Sequence, residues 1–135
     1  MNMTRILTLL LLMSGVLAPA NAGGTDFDKT RAEQLLMAYL ADQGYDVKML
    51  SQEPISKVSP DFFLVEVDFL YDRPGSVVLA FFGINKETGD IWQLVPCRRV
   101  SSRSLSALQR AVRRDSKLSA QAWKHYHQLK PDGFC

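Results

Sequence analysis

The sequence predicts an α+β fold: an N-terminal helix packed on a three- to four-stranded antiparallel sheet, followed by one or two C-terminal helices. Three observations carry that prediction. Apolar residues recur at intervals of three and four between Ala32 and Leu40. Strand-type alternation and apolar runs fill the stretch from Phe62 to Val95. After Pro96 the spacing returns to that of helices, now rich in arginine.

Ahead of these elements, residues 1–22 read as a cleavable export signal. Arg5 supplies a positive start, an apolar stretch opens with Ile6–Leu12 and runs to about Ala18, and Ala20-Asn21-Ala22 places small residues before Gly23. The apolar stretch is shorter than the roughly 20 residues a spanning helix needs. No cysteine follows the small residues, so a lipid-anchored form is not supported. The expected product is a single α+β domain, residues 23–135, in the periplasm; a eukaryotic secretory signal obeys similar physics.

The first helix has candidate N-caps in Thr25, Asp28 and Thr30, and Thr30 with Glu33 has capping-box spacing. Ala32, Leu35, Leu36, Tyr39 and Leu40 form its apolar stripe, and Gly44 is the expected stop. Tyr45–Leu50 is a candidate short strand, and Ser51–Pro60, with prolines at 54 and 60, reads as a loop or irregular edge. From Phe62 to Tyr71 the residues Phe63, Val65, Val67, Phe69 and Tyr71 share one face, with Glu66 and Asp68 on the other, as in a half-solvated strand. Asp72-Arg73-Pro74-Gly75 is a turn. Val77–Ile84 is apolar throughout and predicts a strand covered on both faces, by a helix or by a second copy in a homodimer. Asn85–Asp90 is a hairpin turn leading into a strand over Ile91–Val95. Ser101 or Ser102 caps a helix over Arg103–Asp115 with Leu105, Leu108 and Val112 inward. Ser116 or Ser119 starts a last helix whose inner residues are Leu118, Ala122, Tyr126 and Leu129.

Charge divides along the chain. Residues 23–96 hold twelve acidic and six basic side chains, whereas residues 97–135 hold nine basic and two acidic ones. In that basic part Arg98, Arg99, Arg103, Arg110, Arg113 and Arg114 are candidate partner-binding residues, because the guanidinium fork suits carboxylates. At 100° per residue Arg103, Arg110 and Arg114 make one stripe; the alternative is a solvated helix face. An exported chain has little access to nucleic acid, which leaves an acidic protein, an anionic glycan or a lipid surface as the matching partner. The two cysteines, Cys97 and Cys135, form a disulfide by default in an oxidising compartment. It closes a loop of about 40 residues, with an upper contribution of about 4 kcal/mol. The alternative is a buried Cys97 and a free terminal thiol at Cys135.

Few residue patterns point to chemistry. Cys97, His125, His127 and Cys135 are metal-ligand types, but their spacing fits no zinc site, and histidines two apart on a helix point in different directions. Glu66 and Asp68 form an acid pair in name, yet acidic residues on the wet face of a strand have the simpler reading of a solvated surface. No glycine-rich phosphate loop opens a helix. No cofactor is expected.

The run Ile84-Asn85-Lys86-Glu87-Thr88-Gly89-Asp90-Ile91 resembles the strand-turn-strand signature of PepSY-type exported domains, and the element order is similar to the cystatin-like layout of a helix across a sheet. Both likenesses span about residues 28–96; the Ser51–Pro60 loop and the basic helical tail depart from them. The resemblance implies binding or inhibition of a hydrolase and carries no catalytic residue. The expectation is therefore a non-catalytic exported binding protein: an inhibitor of, or immunity protein against, a peptidase or cell-wall hydrolase, or against a delivered toxin. The alternatives are an envelope protein that holds anionic lipid or glycan through its basic helix, and a small hydrolase whose site is dispersed in sequence.

Overall fold

The computed structural model describes residues 28–70 and 77–135. The residues read as an export signal and its cleavage point, Thr25, Tyr71 and the Asp72–Gly75 turn lie outside the described residues. Helix α1 spans Lys29–Asp42 and begins where the Asp28 carboxylate accepts the Arg31 amide at 2.8 Å. Asp28, in extended backbone, is the N-cap; Thr30 falls inside the helix, so the Thr30–Glu33 capping box does not form. A carboxylate at this position satisfies a free amide and also faces the positive end of the helix dipole. At the other end Gly44 takes φ +90°, a left-handed conformation that costs a glycine nothing.

The chain then makes a 3₁₀ turn at Val47–Met49, held by the Asp46 carboxylate, and enters β1, Leu50–Pro54. The strand expected over Tyr45–Leu50 is therefore displaced: three of its six residues form this turn, and only Leu50 enters β1. Ser51–Pro54, the start of the segment expected as a loop or irregular edge, is an edge strand that pairs residue by residue with β2, Phe62–Phe69, from Leu50 opposite Phe69 to Pro54 opposite Val65. Pro54 is tolerated because β1 is an edge strand and Pro54 its last residue.

Strand β3, Val77–Asn85, pairs with β2 across a bulge that shifts the register between Val67 and Asp68. Then follow β4, Ile91–Gln93, and β5, Arg98–Arg99, completing an antiparallel sheet of order β1-β2-β3-β4-β5. The two edge strands account for the difference from the predicted three or four. Strand β4 ends two residues before Val95, which is 70 % exposed.

Helix α2, Arg103–Asp115, is capped by the Ser102 hydroxyl, and α3, Ala120–Gln128, by that of Ser119. The first two helices run antiparallel: Ser104 donates through its amide and hydroxyl to Asp42 at 2.7 Å each, and Arg31 meets Asp115 at 3.2 Å. Only Leu105 and Val112 of α2 are buried. Leu108, expected inward, is 40 % exposed because α2 lies against the inner layer along one narrow stripe.

Two apolar clusters flank the sheet. The inner one joins the α1 stripe to Val65, Val67, Phe82, Ile84 and Ile91, and to Leu105 and Val112 of α2. The outer one contains Phe62, Leu64, Trp92 and Leu94, with Leu129 and Phe134 against it. The second face of β2, expected to be wet, is thus covered at its Phe62 end by the chain's own C-terminus. The end of β3 near Asn85 is buried as predicted, whereas Val77 and Val78 at its start are exposed. The Cys97–Cys135 disulfide, with Cα atoms 5.5 Å apart, ties this C-terminal tail beside β5.

Candidate functional site: an arginine surface and a histidine clasp

The structure divides the six candidate arginines into two groups. Arg98 donates from Nε to Gln93 Oε1 at 3.0 Å, and the Arg113 guanidinium lies 4.7 Å from the Trp123 ring centroid. Arg99 is the most engaged: it lies 5.1 Å over the Trp92 ring, approaches His127 Nε2 to 2.8 Å and donates to the His127 carbonyl. These three are fastened to the molecule's own surface. Arg103, Arg110 and Arg114 remain exposed on one side of α2, and the helix places them within one stripe. Arg103 also acts on Asp42: hydrogen bonds from Ser102 and then Ser104, with a smaller attraction from Arg103, hold the Asp42 carboxyl below its ordinary value.

The contacts of Arg99 belong to a polar clasp. His127 Nδ1 lies 2.7 Å from Asp90 Oδ2, and the same carboxylate accepts the Thr88 hydroxyl at 2.6 Å. Guanidinium has no acceptor, so Nε2 of His127 receives the Arg99 hydrogen bond and Nδ1 carries the proton donated to Asp90. Asn85 adds a second attachment, accepting the Glu87 and Thr88 amides with Oδ1 and donating from Nδ2 to the Tyr126 carbonyl at 3.0 Å. Gln109 of α2 donates to the Gly89 carbonyl at 3.0 Å. The hairpin turn is thereby held between α2 and α3.

An Asp–His pair suggests acid–base chemistry, but its outward nitrogen already accepts from Arg99 and both cysteines are oxidised. The arrangement serves to fix α3 and the turn. His127 is thus engaged by Asp90 and Arg99, whereas the His125 ring lies in a T-shaped contact with Tyr126. Among the described residues, no group of three or more histidine, cysteine or acidic side chains is arranged to hold a metal ion.

The clasp escaped sequence reasoning because Asp90, Arg99 and His127 are each ordinary polar residues far apart in the chain. The one available signal was the Asn85–Asp90 turn, whose polar residues exceed what a solvated hairpin requires.

Glu66 and Asp68 share the outer face of β2, but the solvated surface expected there does not hold: Asp68 is buried and Glu66 half-buried. Partial burial first, and then the neighbouring Asp68 and Glu53 carboxylates, raise the Glu66 carboxyl above its ordinary value.

No family model matches the chain, and no curated protein matches it. Among solved structures, it superposes on a chain of a type VI secretion system effector-immunity complex from Pseudomonas protegens with a TM-score of 0.61. The alignment has 21 % sequence identity and covers 75 % of this chain and 86 % of that one. At this identity the likeness is one of fold.

Proposed function

We propose that this protein is an exported immunity protein, which binds a toxin delivered into the periplasm and blocks it without catalysis. The observation that carries the reading is the fold likeness, over three quarters of the chain, to a component of an effector-immunity complex. The export signal read in residues 1–22 and the Cys97–Cys135 disulfide support an oxidising compartment as its place of action. No described helix is long and apolar enough to cross a membrane. Arg103, Arg110 and Arg114 form the docking stripe, since their guanidinium groups point outward while Arg98, Arg99 and Arg113 serve the fold. The partner surface facing them is acidic.

A protection assay tests this. Sensitive cells carrying the protein, with or without residues 1–22, are challenged by a competitor that injects periplasmic toxins, and the bound competitor protein is assayed for activity. Survival with the exported form alone, together with stoichiometric loss of that activity, is the expected result. The charge reversal Arg103→Glu with Arg110→Glu should weaken capture about tenfold or more while leaving the melting temperature nearly unchanged. Full capture by the double variant removes the stripe from the interface. Retention of salt-labile lipid or glycan alone, without protection, overturns the immunity reading.

A further inference from the structure

A cleft of about 210 Å³ opens between the first turns of α1 and the loop joining β1 to β2. Its walls are chiefly apolar and include Ala32, Ile55, Phe63 and Ile84. Its volume is below the roughly 300–1,000 Å³ of small-molecule sites, so it suits one large side chain better than a cofactor. Val58 stands on its lip at 89 % exposure. A single bare aliphatic side chain is ordinary on a surface, but here it extends the apolar wall of a concavity of side-chain size.

The rim supplies a sign. Lys29, Lys57 and Lys86 all line the cleft, against the single carboxylate of Glu33, which lies 3.6 Å from Lys29. Lys86 is aimed by two carbonyl acceptors, Ser59 at 2.8 Å and Pro60 at 3.1 Å, and Lys57 rests 4.5 Å over the Phe134 ring. Those contacts orient the two ammonium groups without neutralising them. The Arg31–Asp115 pair also brings the end of α2 that carries Arg114 to the end of α1 that carries Lys29. Lys29, the rim residue on α1, therefore lies at the same end of the helix pair as Arg114.

We infer that this cleft is the anchor pocket for the protein partner: it receives one leucine or phenylalanine side chain flanked in the partner's sequence by Asp or Glu residues, which meet Lys29, Lys57 and Lys86. The identification of that partner as a toxin rests on the immunity reading; the chemistry of the pocket does not.

The test uses the oxidised protein expressed from its full coding sequence, with NMR titration by two peptides and a fatty acid: acetyl-Asp-Asp-Leu-Phe-Asp-amide, its Lys-for-Asp counterpart, and decanoate. The acidic peptide is expected to shift the signals of Ala32, Ile55, Val58 and Ile84, and the basic one to leave them in place. Lys29→Glu with Lys57→Glu should weaken the acidic peptide about tenfold, and Val58→Asp should weaken it without altering the fold's spectrum. Equal shifts from both peptides, shifts that survive the charge reversal, or a response to decanoate alone would each overturn the inference. If these variants still protect cells fully and the wild type binds no acidic peptide, the pocket is wrong and the immunity reading stands. Peptide binding at the cleft without any protection supports the pocket and refutes the toxin.

Discussion

The outer face of the sheet has two halves, and the same strand, β2, contributes to both. At its Phe62 end the face is apolar: Phe62, Leu64, Trp92 and Leu94 are closed over by Leu129 and Phe134. Gly83 lies beneath them; a Cβ there would meet the Pro131 ring at 3.1 Å, so the missing side chain is what lets the tail settle onto the strand. At its Phe69 end the face is acidic. Glu53 of β1 sits directly opposite Glu66, Asp68 follows, and an oxygen of the buried Asp68 carboxylate has no hydrogen-bond partner. Like charges in register oppose folding at this end; an unpaired buried polar atom does not separate the halves, since Trp92 Nε1 in the covered half also has no partner. The outer layer therefore draws its stability from the end where the C-terminal tail is tied down, and little from the other.

Removing the anchor of the covered half gives the largest expected effect. Trp92→Ala takes away the ring that closes the outer cluster and supports Arg99, and should cost about 3–5 kcal/mol by urea denaturation of the oxidised protein. A loss below about 1 kcal/mol would show that the tail cluster contributes no more than an ordinary surface. Cutting the tie comes next. Cys97→Ser with Cys135→Ser should cost up to about 4 kcal/mol, the limit set by closure of the intervening loop, and Leu129 and Phe134 amides should lose hydrogen-exchange protection before those of α1. Unchanged stability would mean that the clasp of Asp90, His127 and Arg99 holds the tail region without the disulfide.

The parts of this architecture that were legible in the sequence are those with a local cause. The α1 stripe repeats every three or four residues because one helix face is dry, and Ser102 and Ser119 mark helix starts because a hydroxyl there satisfies a free amide. Two cysteines in a chain read as exported were enough to anticipate the Cys97–Cys135 pairing. The missed features depend on distant partners. Strands β1 and β5 have no alternating apolar pattern, and exist because β2 and β4 offer them hydrogen bonds. Leu108 has the correct spacing for burial, yet α2 meets α1 along too narrow a line to cover it. For the site, the exposed arginine stripe follows from helix geometry alone. The capture of Arg99 by Trp92 and His127 does not, because it needs the tail to return across the sheet.

The smallest predicted effect tests the acidic half. The Glu66 carboxyl is raised in the folded protein, so folding favours its protonated form. That contribution is fully present below the unfolded value, taken as 4.5, and is lost as pH rises through the higher folded value. At neutral pH the ionised carboxylate is then a burden, and Glu66→Gln, which keeps the shape and removes the charge, should raise the melting temperature modestly at pH 7. The gain should vanish near pH 3.5, where wild type and variant are both uncharged at this position. A lower melting temperature for Glu66→Gln at pH 7 would mean that the carboxylate makes a favourable contact, and the contrast between the two halves of the sheet would fail at its acidic end. A gain that persists unchanged at low pH would assign the effect to packing of the amide rather than to repulsion from Asp68 and Glu53.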